Sequence, residues 1–430
     1  MKRQPEDREQ TRFITRREFV RDAGIAAAAV GVATSGVRRG FAQSPNERIG
    51  IGIIGCGGRG GNHMDAVDKI KAEGANVELV AVCDAYRPRL DKRAEQYKAK
   101  PYMDHQELLA DPNVDVVGIA TPDHQHGYQA LDAIRAGKNV YCEKPVTHWR
   151  QFDLTKELAE EVKKTGRAVQ VGAQGMSDSA WRQIKKLVRE GLIGQPIHAE
   201  CGYFRVGDWG ERGMSIDDPN AQPGPDLNWE AFLGDSPKRP FDVSRFFRWR
   251  MYEDYSGGPA TDLFPHSLTP VIDILGVGMP SRVVATGGKF RYEEREVPDT
   301  CNMLIDYPEK ITVAVLGTQG NDYPGTGGRG APGRIPLIRG WDGTLTIKEG
   351  KIVFIPAHGT DKKEQSFDIE NGESTERHWQ NLVDCITKGD ELYSPMDLAF
   401  RVQTALQMGV LGFREGKVAK FDREKQKIVL

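Results

Sequence analysis

The sequence is poor in cysteine and has no excess of charge of either sign. Its 430 residues include six cysteines, and 59 Lys and Arg nearly balance 61 Asp and Glu, for a net charge of -2. This balance gives no reason to expect nucleic acid or an anionic membrane surface as a partner. The cysteines are widely spaced, several in apolar runs such as residues 80–83, and no Cys or His cluster has the spacing of a zinc site. We therefore predict buried thiols and no metal ion.

Long apolar runs, repeats and low-complexity tracts are also scarce. The one long uncharged stretch, residues 23–37, falls short of the roughly twenty residues that span a bilayer. We therefore expect no stable insertion into a membrane. Hydrophobic residues still make up 39% of the chain, enough for a large core, and the length indicates two or three domains.

The uncharged stretch follows a pair of arginines, Arg16 and Arg17. It precedes two small residues, Gly40 and Ala42, at the positions that a signal peptidase reads. This order predicts a twin-arginine signal peptide over residues 1–42, cleaved after Ala42, and the Tat export machinery as a partner. An ordinary N-terminal helix with a basic cap is the alternative. With the signal, the protein is exported already folded and is periplasmic or secreted.

From Arg48 onward, short apolar runs alternate with helical stretches, as in a parallel sheet with crossover helices. The pattern predicts an α/β protein whose residues 46–174 form an N-terminal Rossmann dinucleotide-binding domain. The predicted strands of this domain cover residues 49–54, 77–83, 114–120, 139–142 and 168–171.

Beyond Gln174 the apolar residues alternate at the period of half-exposed strands. We predict that residues 175–430 form a C-terminal α+β domain with an open, mostly antiparallel sheet. Two helices between His378 and Arg414 should pack back on the body, and residues 317–333 should form a Gly-rich surface loop. The predicted strands of this domain cover residues 197–204, 282–285, 301–305, 311–316, 343–347 and 352–355.

A glycine-rich segment directly follows the first predicted strand and opens a helix. Its residues are Gly55, Gly57, Gly58, Arg59 and Gly60. In this setting the first glycine permits a tight turn, and the second lets the backbone approach a pyrophosphate at the helix N-terminus. A Gly-rich structural turn in some other doubly wound protein is the alternative.

Asp84 ends the second predicted strand, at a suitable distance to accept both ribose hydroxyls of an adenosine. A carboxylate there repels a 2′-phosphate, so the sequence favours NAD over NADP. NADP stays an alternative cofactor because of Arg87, a cation just past Asp84 that could reach such a phosphate.

Three other segments carry candidate chemistry. Lys144 stands in a Glu-Lys-Pro segment after the strand that ends at Cys142, where open parallel sheets bind ligands. Thr121, Pro122 and His126 follow the preceding strand at the same edge. Asp262 and His266 are four residues apart, a spacing that can place both on one side of a helix start.

Together with the glycine segment, these residues resemble the glucose-fructose oxidoreductase, inositol dehydrogenase and MocA family, or Gfo/Idh/MocA, over nearly all of the mature chain. The resemblance implies an NAD(P)-dependent oxidoreductase that acts on CH–OH groups and forms homo-oligomers. By resemblance, Lys144 contacts both the nicotinamide side and the substrate hydroxyl, and Asp262 and His266 complete the catalytic group. The cofactor-facing residues would include Thr121, Pro122, His126, Glu143 and Lys144.

One position departs from the family pattern. Phe264, followed by Pro265, stands two residues after Asp262, where the family often has glycine. We expect this change to alter the shape of the pocket, so the resemblance does not identify the substrate.

The chemistry of the three side chains agrees with these roles. Oxidising a secondary alcohol requires a proton acceptor, and an imidazole with a pKa of about 6.5 suits this step near neutral pH, so His266 is the expected general base. Asp262 would hold the tautomer of the His266 imidazole, and the Lys144 ammonium would stabilise the charge that develops on the alkoxide. Each residue has an alternative role: Lys144 as a surface lysine beside a turn proline, Asp262 as a plain helix N-cap, and His266 as a packing histidine.

Aromatic and cationic residues over 245–250 would suit a sugar ring, and they suit an interface or core equally well. Further substrate candidates are Tyr203, Arg205, Trp209 and His378.

The leading hypothesis is an oxidoreductase acting on a sugar, glycoside or polyol, with a tightly bound nicotinamide cofactor. A second substrate would recycle the cofactor in place, because an exported enzyme is not expected to meet a free nicotinamide pool. One alternative is a redox-neutral glycosidase or lyase that oxidises the sugar transiently. Another is a non-catalytic sugar-binding protein, against which the presence of Lys144, Asp262 and His266 argues.

Overall fold

The computed structural model describes residues 48–206, 215–323 and 336–430. The predicted signal peptide, Trp209 and most of the predicted Gly-rich loop lie outside these ranges. No helix within them is long and apolar enough to cross a membrane.

The first domain contains a six-stranded parallel sheet in the order β3-β2-β1-β4-β5-β6. Every residue of β1 is buried, as expected for a parallel sheet covered on both faces. The strands are β1 (Ile49–Ile54), β2 (Val77–Cys83), β3 (Lys100–Tyr102), β4 (Val116–Ile119), β5 (Asn139–Glu143) and β6 (Val169–Gly172). The helices of this part are α1 (Gly58–Ala72), α2 (Arg87–Tyr97), α3 (His105–Ala110), α4 (Asp123–Arg135) and α5 (Phe152–Thr165).

The second domain contains a ten-stranded sheet in the order β14-β13-β12-β11-β7-β10-β9-β8-β15-β16. Its neighbours are antiparallel except β7 and β10, which run parallel with Ala199 opposite Val313. The strands are β7 (Pro196–Phe204), β8 (Arg282–Gly288), β9 (Thr300–Tyr307), β10 (Ile311–Thr318), β11 (Leu337–Gly340), β12 (Gly343–Lys348), β13 (Lys351–Pro356), β14 (Gln365–Asp368), β15 (Ala419–Asp422) and β16 (Lys427–Val429). The predicted fold class is confirmed in both domains.

The described residues after the first domain include seven helices. They are α6 (Ser179–Arg189), α7 (Trp229–Leu233), α8 (Val243–Phe247), α9 (Pro259–Asp262), α10 (Phe264–Leu275), α11 (Thr375–Lys388) and α12 (Met396–Glu415), with 3-10 turns at Gln174–Ser177 and Trp249–Met251. Side chains of α10 and α12, including Phe264, Leu268 and Leu406, share one apolar core with the inner face of the sheet. Trp379 of α11 instead stacks on Tyr141 of β5, 4.4 Å between ring centroids.

Residues 215–255 form a segment, called the strap below, that leaves the second sheet and crosses to the first domain. The backbone amide of Arg87 donates to the carbonyl of Asp226, and that of Asn228 donates to the carbonyl of Ala85, both within 2.9 Å. A separate aromatic cluster holds the strap together and includes Tyr86 of the first domain. The strap therefore lies against the edge of the parallel sheet where β2 ends.

The six cysteines are all free, five of them buried and Cys385 half-buried. This confirms the prediction of buried thiols. Burial raises the pKa of each thiol, in Cys201 and Cys301 to about 12.

Candidate active site

A cavity of about 900 Å³ lies where β1, β2, β4 and β5 end. Its size is at the upper end of the range of small-molecule and cofactor sites. From the first domain it is lined by Gly55, Gly57, Gly58, Arg59, Asp84, Thr121, Pro122 and Lys144. The second domain closes the cavity with Tyr203, Arg205, Trp249, Arg250, Asp262 and His266. Most of the predicted site residues are thus brought together in one place.

The glycine loop fits a dinucleotide. Gly55 has φ 97°, a conformation that favours glycine. A Cβ on Gly60 would overlap the carbonyl oxygen of Gly55, so only glycine permits this close approach. At Gly58 a Cβ would meet no atom within 4 Å, which leaves the helix N-terminus open toward a ligand.

Asp84 lies at the cavity and fastens the loop as well. One carboxylate oxygen accepts from the amide of Cys56 at 2.7 Å, and the other accepts from the amide of Tyr86 at 2.8 Å. Burial raises the pKa of this carboxyl, and the nearby Arg89 opposes the shift. Asp84 lines the cavity at the end of β2, and its contact with a ribose stays a prediction.

The prediction for Arg87 needs correction. Its Nε pairs with Asp226 at 3.0 Å in a solvent-exposed ion pair, away from the cavity. The cation that lines the cavity beside Asp84 is Arg89. Sequence reasoning missed Arg89 because residues two apart on a helix point about 200° apart, and the start of α2 was not known.

Glu143 lies behind the cavity wall, where it binds two side chains of α1. Its Oε1 accepts from Arg59 Nε at 2.7 Å and from His63 Nε2 at 3.1 Å. Burial alone would raise the pKa of Glu143, but the Arg59 guanidinium holds it well below its usual range. Trp379 donates its indole N–H to His63 Nδ1 at 3.0 Å, which fixes Nε2 as the nitrogen that donates to Glu143. Glu143 thus positions Arg59 at the cavity.

His126 is buried between two loops. Its Nε2 lies 2.7 Å from the carbonyl oxygen of Thr121, and its Nδ1 lies 2.7 Å from that of Pro145. Thr121 also donates its hydroxyl to Gln129 at 2.8 Å. His126 therefore joins the loops that carry Thr121 and Lys144, and its predicted role at the cofactor is indirect in this arrangement.

Lys144 and Asp262 connect the two domains at the cavity. Lys144 Nζ donates to the Asp262 carboxylate and to its backbone carbonyl, each at 2.7 Å. The side chain of Lys144 is 10% exposed, so it is not a surface lysine. Burial would raise the pKa of Asp262, but Lys144 and then Arg250, 3.4 Å away, hold it well below its usual range. The carboxylate is therefore ionised, and it keeps the Lys144 ammonium in place.

His266 lines the same cavity, one helix later than Asp262. Asp262 is the last residue of α9, Leu263 separates the helices, and His266 lies in the first turn of α10. Asp262 is thus not the N-cap of a helix. The described contacts of its carboxylate go to Lys144 and Arg250, and its role in orienting His266 stays a prediction.

Phe264 does not have the position that the sequence suggested. Its ring is fully buried in the core of the second domain and lies beneath Gly317, where an added Cβ would meet it. The expected effect of Phe264 on the shape of the pocket is therefore wrong.

The substrate candidates divide between two places. Tyr203, Arg205, Trp249 and Arg250 line the cavity, and the Arg250 guanidinium lies 4.1 Å from the Trp249 ring centroid. His378 is fully buried on α11 with its Nδ1 2.9 Å from the hydroxyl of Tyr141, so its proposed contact with substrate is wrong.

Sequence patterns did not indicate that the first half of the strap, residues 215–234, contributes to the cavity. Ser215, Asn228, Ala231, Phe232 and Gly234 all line it. Residues 215–228 are rich in Pro, Gly, Asp and Asn and have no apolar period, so only the folded chain reveals their place.

Two sequence models of one oxidoreductase family match this chain. Residues 49–173 match the NAD-binding Rossmann fold of the Gfo/Idh/MocA family, and residues 177–309 match the C-terminal alpha/beta domain of that family. Together the two ranges cover more than half of the chain.

Curated relatives match over about a third of this chain. Inositol 2-dehydrogenase of Salmonella typhimurium is 34% identical over 157 residues, 36% of this chain and 46% of that protein. Inositol 2-dehydrogenase/D-chiro-inositol 3-dehydrogenase of Lactiplantibacillus plantarum is 33% identical over 157 residues, 36% of this chain and 43% of that protein. The match spans less than half the length of either relative.

Solved structures share the fold over most of this chain. An aldose-aldose oxidoreductase from Caulobacter crescentus, complexed with glycerol, has a TM-score of 0.64 at 20% identity and covers 87% of this chain and 100% of its own. The WlbA dehydrogenase of Bordetella pertussis, in complex with NADH and UDP-GlcNAcA, has a TM-score of 0.63 at 20% identity and covers 87% and 99%. At these identities the likeness concerns the fold.

Proposed function

This chain belongs to the Gfo/Idh/MocA oxidoreductase family, and on that basis we propose that it transfers a hydride between NAD and a secondary alcohol of a sugar or polyol. The observation that carries the proposal is the Lys144–Asp262 contact of 2.7 Å, which joins the two domains at the cavity that also contains the glycine loop and His266. The two curated relatives are named for inositols, which are polyols, and this agrees with a polyol or sugar as substrate.

The chain's own residues divide the work of alcohol oxidation. When bound, NAD supplies a hydride acceptor. As the carbon loses hydride, His266 accepts the hydroxyl proton, and the Lys144 ammonium stabilises the charge that develops on the oxygen. Asp262 keeps Lys144 in position and balances its charge. Reduction of a second substrate at the same site reverses each transfer and restores the starting state.

Retention of the cofactor is the second part of the proposal. The strap supports it, because Asn228 and Phe232 line the cavity while the strap backbone bonds to Ala85 and Arg87 of the first domain. A cofactor beneath such a segment leaves only when the segment moves. Export by the twin-arginine route, proposed from residues 1–42, makes retention necessary, since no soluble NAD pool is expected outside the cytoplasm.

Self-association through the outer face of the second sheet completes the proposal. Leu304 and its cross-strand neighbour Val284 are 58% and 42% exposed there. Adjacent exposed apolar side chains of this kind are typical of a protein–protein interface. Sedimentation velocity of the mature protein tests this part.

The central test follows the reduced-nicotinamide absorbance of the purified mature protein as single sugars and polyols are added. We expect one class of substrate to produce the reduced band and a second class to remove it, with no cofactor added. Cleavage of a glycoside without lasting change in the band would favour the redox-neutral alternative, and protein that purifies without nucleotide would refute retention.

His266→Ala should slow the appearance of the reduced band by about two to four orders of magnitude, because the proton acceptor is lost. His198→Ala is the matched control, since His198 lies on β7 beside Thr312 and does not line the cavity. If stopped-flow absorbance shows the same rate in both variants, His266 is not the base.

A further inference from the structure

The cation beside Asp84 is held by a residue from outside the Rossmann domain. Arg89 Nε donates to the carboxylate of Asp217 at 2.6 Å, and Asp217 belongs to the strap. The Arg89 guanidinium also lies 5.1 Å from the ring centroid of Phe247, a second strap residue. Two contacts from the second domain thus determine where this guanidinium points.

Arg89 is within reach of the adenosine end of the cavity. It lines the cavity together with Asp84 and Gly57, and its Nη1 lies 3.7 Å from the position of a Cβ on Gly57. A guanidinium at this place, without an acidic partner, is suited to bind a 2′-phosphate with two parallel hydrogen bonds. The sequence alone would therefore allow NADP.

The charges around Arg89 oppose the binding of NADP. Asp84 and Asp217 flank the single guanidinium of Arg89, so the three side chains sum to one negative charge. Arg87 points away to Asp226, and Arg93 donates to Gln96 at 2.8 Å. A neutral 2′-hydroxyl is compatible with this group, whereas a phosphate dianion meets repulsion from both carboxylates.

We propose that Asp217 acts together with Asp84 in the choice of cofactor, by occupying Arg89 and by adding a second carboxylate beside Asp84. The inference rests on the proposed NAD-dependent function and deepens it. Cofactor specificity in this chain is thus shared between the end of β2 and a residue about 130 positions later in the chain, on the strap. Asp217 is a specificity-determining residue that acts through Arg89.

The test measures which nucleotide the mature protein holds. Wild type and variants are stripped of bound nucleotide, incubated with equal amounts of NAD and NADP and desalted. The retained nucleotide is then released and quantified by chromatography. Asp217→Asn should shift the ratio of NADP to NAD upward by roughly tenfold, the effect of removing one nearby charge at moderate dielectric screening. The double variant Asp217→Asn with Arg89→Ala should lose that gain, because the guanidinium that binds the phosphate is gone.

Asp226→Asn is the matched control. It removes the same charge from the same segment, but its partner is the outward-facing Arg87. If Asp217→Asn and Asp226→Asn give the same ratio, or if the double variant keeps the gain, the inference is overturned. A wild-type protein that retains neither nucleotide and shows no affinity for either in a titration would refute the proposed function instead.

Discussion

At the scale of single residues, the glycine loop shows how differently neighbouring glycines contribute. Gly60 lies against the carbonyl oxygen of Gly55, whereas Gly58 has open space where a Cβ would stand. Both belong to one sequence pattern, but only one of them is sterically required. The pattern therefore predicts a dinucleotide loop correctly without saying which glycine the loop depends on.

Gly60→Ala should displace the loop and destabilise the first domain by about 1–3 kcal/mol, because the new methyl group overlaps backbone. Gly58→Ala should change the free energy of unfolding little. Urea unfolding of both variants, together with their retained nucleotide, measures the difference. Equal loss of stability in the two would show that the loop does not depend on the close approach of Gly60 to Gly55.

The residues of the candidate site could be predicted where they end parallel strands. Asp84, Thr121 and Lys144 follow β2, β4 and β5, and the carboxyl ends of these strands meet at one edge. His378 could not be placed in this way, because its helix packs on the back of the first sheet. Arg89 could not be distinguished from Arg87, because the start of α2 was not known and residues two apart lie on nearly opposite sides of a helix.

At the scale of elements, the strap is the segment whose helices sequence patterns did not predict. Its helices α7 and α8 have five residues each, too short for a clear helical period. Its aromatic side chains instead form a small core of their own with Tyr86. The strand β3 was missed for a related reason, since it is short and contains Pro101, which an edge strand tolerates.

Trp229→Ala should loosen the strap and speed release of the cofactor. Trp229 stacks on Phe232 at 5.1 Å between ring centroids and donates its indole N–H to the backbone carbonyl of Arg239. Truncation therefore removes much of the strap's core, at a local cost of about 3–5 kcal/mol. Nucleotide retained after gel filtration and the rate of limited proteolysis within residues 215–255 measure the effect.

Trp341→Ala is the control for this change, because Trp341 is 70% exposed on the second domain. If Trp229→Ala retains its nucleotide as well as Trp341→Ala does, the strap is not what holds the cofactor.

At the scale of the whole molecule, buried histidines link the fold to pH. Burial lowers the pKa of His124 to about 4 and of His378 to about 3, from 6.5. The unfolded chain therefore binds protons first as the pH falls below about 6.5, and the native state loses stability until the pH reaches the lowered values. Above about pH 6.5 these groups have no effect on stability.

We expect each of these histidines to lower the free energy of unfolding by about 2 kcal/mol at pH 5 relative to neutral pH. His124→Gln should reduce the pH dependence by about that amount, since a glutamine amide can still donate to the carbonyl of Phe232, as His124 does. Urea unfolding of the variant at both pH values gives the measurement, with the exposed His358→Gln as control. The same pH dependence in all three proteins would exclude His124 as a source.

The six free thiols have a further consequence for how this protein can be studied. Cys56, Cys83 and Cys142 lie in the first domain, Cys201 and Cys301 in the second, and Cys385 on α11. Because burial raises their pKa and keeps reagent away, a buried thiol becomes alkylated only while its surroundings are open. The rate of alkylation at each cysteine, measured by peptide mass spectrometry, would thus report how often each domain opens locally, with no label introduced into the chain.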